Sequence, residues 1–113
     1  MNITMPRGDI QNIIFTITWP PESEQEITPT EIYFTVKQSY GHKDYLFQKR
    51  LTTGQIEYMS ENTYGFTIEA ADTDMLSFGK YVFDIEIVGE GLKQTTVGDF
   101  VLTHEVTYAS NED

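Results

Sequence analysis

Apolar and polar positions alternate most cleanly between Gly79 and Val88. Tyr81, Phe83, Ile85 and Ile87 share one parity, and Lys80, Val82, Asp84 and Glu86 share the other. A period of two puts one set on a buried face, so the pattern predicts a strand over 80–88. Full burial of that set stabilises the fold by about 1.5–3 kcal/mol per side chain. The same alternation runs through 11–19, with Ile13, Phe15, Ile17 and Trp19 inward and Asn12, Ile14, Thr16 and Thr18 outward. It returns over 31–38, with Ile32, Phe34 and Val36 inward and Tyr33, Thr35 and Lys37 outward. Residues 63–69 repeat it with Tyr64, Phe66 and Ile68 inward. The β-branched and aromatic content of these stretches supports strands over helices.

Shorter segments complete the set. Residues 2–5 predict an edge strand stopped by Pro6, which cannot donate to a ladder. Over 45–51 two parities compete, Tyr45/Phe47 against Leu46/Gln48, and Phe47 is the expected core residue. Residues 55–59 form a short strand built on Ile56 and Tyr58. Residues 92–103 return from the Gly89-Glu90-Gly91 turn, with Val97, Phe100 and Leu102 as apolar positions and a bulge expected at Gly98. Pro20 and Pro21 end the strand at Trp19 and open a polar loop reaching about Pro29. The stretch from Ala70 to Leu76 predicts one helical turn, with Asp72 or Thr73 as N-cap and Met75 and Leu76 plugging the core.

Strands this short, joined by turns and with no helix long enough for a parallel crossover, predict an all-β chain. The expected architecture is an immunoglobulin-like antiparallel β-sandwich of seven or eight strands, with one short helical turn near 70–76. A closed barrel is the alternative. Residues 1–108 are read as one domain and 109–113 as a flexible acidic tail.

Composition narrows the function. Of 113 residues, 18 are Asp or Glu and 7 are Lys or Arg, a net charge of −11. Such a charge repels phosphate backbones and anionic lipid, so nucleic-acid and membrane partners are not expected. Its main effect is to keep an aromatic-rich β-protein soluble. With no cysteine there is no disulfide framework, thiolate metal site or Cys nucleophile. Apolar runs stop at three residues, and the first six lack the basic and apolar regions of a secretory signal.

Candidate chemistry is sparse. Arg7-Gly8-Asp9 matches an integrin-binding tripeptide, but a turn launching the next strand explains it more simply. His42 and His104 lack metal-ligand spacing. Asp72-Thr73-Asp74 opens like a calcium loop without the later Gly and Glu that such a loop needs. No phosphate loop or nucleophile elbow occurs. No catalytic residue, cofactor or metal is therefore assigned, and the expected activity is non-enzymatic. Most of the 7 Tyr and 7 Phe fall on inward parities. Tyr33, Tyr40, Tyr58 and Tyr108 remain as interface candidates, since Tyr is favoured at contact surfaces. Gly79-Lys80-Tyr81 at the mouth of a late strand matches a tyrosine corner, with the acceptor expected near 71–74.

Several segments in order resemble one family. They are Arg7-Gly8-Asp9, Tyr33-Phe34-Thr35-Val36-Lys37, Leu46-Phe47-Gln48-Lys49, Tyr64-Gly65-Phe66-Thr67-Ile68, Ala71-Asp72-Thr73 with Leu76, Gly79-Lys80-Tyr81-Val82-Phe83-Asp84-Ile85 and Gly98-Asp99-Phe100-Val101-Leu102-Thr103 with Glu105-Val106-Thr107. Together they resemble the small immunoglobulin-like proteins of phage and prophage structural genes, the N-terminal domain of baseplate upper proteins being the nearest named case. The resemblance spans about Arg7 to Thr107, with Pro20 to Thr30 departing from the usual short loop. It implies a virion component of tail, baseplate or head that docks other phage structural proteins or itself. The expected location is then the virion, or host cytoplasm during assembly. A carbohydrate- or host-surface-binding module is the alternative, and it requires exposed aromatics on one face or loop set.

Overall fold

A computed structural model describes residues 2–18, 28–89 and 91–104. Trp19, Ile27, Glu90, Tyr108 and the acidic tail lie outside these residues. The strands are β1 (Ile3–Pro6), β2 (Gln11–Thr16), β3 (Glu31–Lys37), β4 (Phe47–Arg50), β5 (Ile56–Ser60), β6 (Thr63–Ile68), β7 (Gly79–Gly89) and β8 (Leu92–Thr103), with one short helix, α1 (Ala70–Thr73). They form two sheets. Sheet A has the order β1-β8-β7-β3-β4 and sheet B the order β2-β6-β5. In immunoglobulin lettering these are a G-F-C-C′ sheet, extended by the first strand, over a B-E-D sheet. The chain is an all-β sandwich.

Every ladder is antiparallel except β1–β8, which runs parallel from Ile3↔Phe100 to Pro6↔Thr103. The sequence reading placed β1 at an edge but missed its direction. A turn explains it. Gly8 adopts φ 84°, and the Asp9 amide donates to the Pro6 carbonyl at 3.3 Å. This carries the chain from sheet A to sheet B instead of doubling back within one sheet.

Alternation predicts most of the core, although Phe15 is only half-buried, Tyr58 is exposed where its strand was expected to build on it, and Thr35, expected outward, is buried. Ile13, Ile17, Ile32, Phe34, Val36, Phe47, Ile56, Tyr64, Phe66, Ile68, Tyr81, Phe83, Ile85, Ile87, Phe100 and Leu102 are all buried. Phe34 lies at the centre, its ring 4.4 Å from Phe66 of the facing sheet and 5.4 Å from Phe83. Offset and tilted ring pairs of this kind add about 0.5–1.5 kcal/mol beyond their buried area.

Four local expectations differ from the structure. The β7–β8 register runs unbroken from Gly79↔Leu102 to Gly89↔Leu92, so Gly98 marks no bulge and Val97 points outward, 54 % exposed. The helix is capped by Glu69 and not by Asp72 or Thr73. Glu69 and Asp72 form a reciprocal capping box, with the Glu69 amide donating to Asp72 Oδ2 at 2.7 Å. Met75 is 90 % exposed, and Leu76 alone packs against the core. Thr73 takes the buried place, its Oγ1 accepting from the Gly8 amide at 2.8 Å.

The tyrosine corner is present, but its acceptor differs. Tyr81 donates its hydroxyl hydrogen to the Ser77 carbonyl at 2.7 Å, four residues back and not near 71–74. Gly79 at φ 139° bends the intervening chain enough to close that short loop.

Candidate docking surface

The outward faces of the two sheets differ in chemistry. Sheet A is laced with charge. Lys80 pairs with Asp99 at 3.3 Å and Lys93 with Glu86 at 3.2 Å, both across the β7–β8 ladder. Asp84 lies on the same face. Partial burial first, then neighbouring Glu86, pushes its carboxyl up, while Lys37 opposes the shift.

The outward face of sheet B carries one ionisable side chain, Glu57, among the described residues. Its β2 and β6 positions are Asn12, Ile14 and Thr16 beside Thr67, Gly65 and Thr63. Thr67 donates to Asn12 Oδ1 at 2.8 Å, and the Thr16 and Thr63 hydroxyls lie 3.3 Å apart. Between these polar pairs runs an apolar strip. Ile14 is 60 % exposed and stands beside Gly65. The register of β5 shifts between Tyr58 and Ser60, which marks Met59 as the extra residue of a bulge. Met59 is half exposed and lies over Gly65, its Sδ 3.4 Å from where a Cβ would stand. Gly65 thus admits the methionine, and Ile14 and Met59 lie on either side of it, with Glu57 paired to Gly65 on β5 as the one charge of the row.

The predicted interface tyrosines do not converge. Tyr33 is half-buried on sheet A, with the Arg50 guanidinium 5.1 Å above its ring. Tyr40 is exposed in the β3–β4 loop and donates to the Gly98 carbonyl at 3.2 Å. Tyr58, on sheet B, is exposed and packs edge-on to Tyr64 at 5.6 Å. Tyr108 lies outside the described residues. Ile14 and Met59 were missed because each reads as an ordinary outward strand residue. Only the pairing through Gly65 brings them together.

Arg7-Gly8-Asp9 serves the fold. The Arg7 guanidinium lies 4.3 Å over the Phe78 ring and donates to the Leu76 carbonyl at 3.2 Å. Phe78 in turn stacks on His104 at 3.8 Å. His42 accepts or donates at Nδ1 with Ser39 Oγ at 2.9 Å in an exposed turn. Among the described residues no group of three or more acidic, His or Cys side chains is placed to hold a metal ion. Nor is any helix among them long and apolar enough to cross a membrane.

Two buried charged groups have structural partners. Lys49 points inward from β4 and meets Asp72 of α1 at 2.7 Å, tying the edge strand to the capping box. Glu31 accepts from the Ile32 and Thr52 amides, the Thr52 hydroxyl and Arg50 at 2.5–3.1 Å. Burial alone would raise its pKa, but the bonds from Thr52, Ile32 and Arg50 outweigh it and bring the carboxyl down to about 2.

No family model matches the chain. No curated protein matches it either. Among solved structures it is similar to the endo-beta-1,4-mannanase from Thermotoga petrophila, with a TM-score of 0.59 at 11 % identity. That match covers 91 % of this chain and 18 % of the mannanase, so it concerns a minor part of the larger protein. At such identity the likeness is one of fold.

Proposed function

We propose that the chain is a non-enzymatic docking module of a phage or prophage particle, in the tail, baseplate or head, that joins neighbouring structural proteins. The observation that carries the docking reading is the contrast between its two outward faces. Soluble β-proteins protect exposed sheet faces with charge, as sheet A does with its Lys80–Asp99 and Lys93–Glu86 pairs. The Ile14–Gly65–Met59 strip leaves apolar side chains open on the other face of a chain carrying −11. Exposed apolar side chains grouped on a face with so little charge support an interaction site there. The phage assignment rests on the ordered segments that resemble phage immunoglobulin-like proteins. Repetition of the module in a symmetric particle supplies avidity without tight individual contacts.

The test is mass spectrometry of purified particles from a host carrying the gene. The chain should be present in fixed stoichiometry, and paired Ile14→Lys and Met59→Lys changes should remove it from the particle while leaving it folded. Particles complete without the chain would overturn the assignment.

The carbohydrate-binding reading keeps one supporting observation. Tyr40, Tyr45 and Leu46 are all exposed within the β3–β4 loop. Binding on a glycan array that disappears with Tyr45→Ala would favour it over docking.

A further inference from the structure

The two sheets of the sandwich leave four outer edges, on β1, β4, β2 and β5. Exposed edges invite pairing with other chains, and proteins blunt them with short length, charge, proline or bulges. Three of the four are blunted. β1 has four residues and ends in Pro6. β4 has four and carries Lys49 and Arg50. β5 carries Glu57 and the bulge at Met59. β2 has none of these devices. Its six residues include no charge and no proline, and its register with β6 is unbroken from Gln11↔Ile68 to Thr16↔Thr63.

The direction of the β2 backbone follows from one bond. The Ile17 amide donates to the Asn62 carbonyl at 2.7 Å, toward β6. Amides alternate sides along a strand, so Ile13 and Phe15 also face β6, while Asn12, Ile14 and Thr16 face away. Among the described residues no strand pairs with that outward side. Among them one side chain bonds the backbone on that side, just past the strand. Gln94 extends from β8 and donates to the Thr18 carbonyl at 3.4 Å.

That edge opens onto a groove. A cleft of about 500 Å³ lies between residues 14–18 and the β7–β8 hairpin, with Ile85 and Ile87 among its apolar lining and Thr96 among its polar lining. A second opening of about 280 Å³ continues along 11–14 toward β1. Among the described residues neither lining contains an ionisable side chain.

We propose that the β2 edge accepts an extended strand from a partner protein, which would pair with Asn12, Ile14 and Thr16 and lay alternate side chains into the groove. This inference rests on the docking reading above and names its mode, strand addition. The groove chemistry and the charge define the partner. Inward positions over Ile85 and Ile87 call for β-branched or apolar side chains. A second copy would bring its own −11 against −11, so the donated strand belongs to a different protein and carries neutral or basic flanks.

The test uses the full chain and a synthetic seven-residue peptide of alternating Val and Thr flanked by Lys, with a Glu-flanked version and a proline-interrupted version as controls. Amide hydrogen exchange is followed residue by residue. In the free chain, Asn12, Ile14 and Thr16 should exchange quickly beside slow Ile13 and Phe15. The Lys-flanked peptide should slow those three amides about tenfold or more. The Glu-flanked peptide should bind more weakly, and the interrupted one should protect nothing. Thr16→Pro and Ile14→Pro each remove an amide that β6 does not use, so they should fold and lose the protection. Protected edge amides in the free, dilute chain would mean the chain covers its own edge, and would overturn the proposal. Protection that rises with protein concentration alone would assign the edge to a second copy and overturn it equally. Failure of the Lys-flanked peptide would overturn strand addition. A chain that enters particles while no peptide protects β2 retains the docking reading and loses this one. Protection in a chain absent from particles does the reverse.

Discussion

Tyr81 and Glu31 show how single side chains are held by hydrogen bonds to turns. Tyr81 is buried, and its hydroxyl is bonded to the Ser77 carbonyl. Tyr81→Phe keeps the ring and loses that bond, so it should cost about 1 kcal/mol in urea unfolding. Glu31 presents a case of linkage. Its carboxyl stands at about 2 in the folded chain against an ordinary 4.5. A depressed folded value contributes stability above the unfolded one and loses it as pH falls through the folded one. Stability should therefore decline between about pH 4.5 and 2, by on the order of 2 kcal/mol from this group. Glu31→Gln should flatten that part of a pH–stability curve measured by denaturant unfolding. Neither arrangement was fully legible in the sequence. Gly79-Lys80-Tyr81 announced a corner, but the acceptor was set by the tight bend at Gly79. Glu31 carried no signal at all, because its partners Arg50 and Thr52 come from the other end of the β3–β4 hairpin.

At the scale of elements, strands with one buried face were read correctly because a period of two is a local property. Position Phe47 was chosen correctly between two parities, and the structure leaves Tyr45 and Leu46 exposed. The helix shows what local reading misses. Its cap, its buried Thr73 and its tie to Lys49 all depend on the loop that crosses from β6 to β7. The Lys49–Asp72 pair is largely removed from solvent, with side chains 9 % and 18 % exposed. Asp72→Ala strands the ammonium and opens the capping box, so it should cost about 3–5 kcal/mol in thermal or urea unfolding. Lys49→Met fills the same space without a charge and leaves Asp72 bonded to the Glu69 amide. It should cost clearly less. Gly65→Ala belongs to this scale too. Its Cβ would stand 3.3 Å from the Ile13 carbonyl oxygen and 3.4 Å from Met59 Sδ. The change should displace Met59 and lower stability by about 1 kcal/mol, with altered methyl shifts for Met59 and Ile14 in NMR spectra.

For the whole molecule, the prediction is one of asymmetry. Charge changes on sheet A, such as Lys93→Ala, should leave particle incorporation unaltered, since that pair is exposed and worth little. Ile14→Lys on sheet B should abolish it, and quantitation of the chain in purified particles separates the two. The sequence by itself determined the class of fold. Alternation of side chains, the turn residues between strands and the absence of any long helical pattern leave an all-β sandwich as the natural way to bury so many aromatic and β-branched groups. It also determined the sign of the net charge. Only the tertiary structure decided which outward residues share a face, because that depends on strand order and register across residues far apart in the chain. The parallel pairing of β1 with β8 is one such decision. The placing of Ile14 and Met59 on either side of Gly65 is another, and the edge position of β2 is a third. Each is fixed by which strands become neighbours, a nonlocal choice that no periodicity within a single segment encodes.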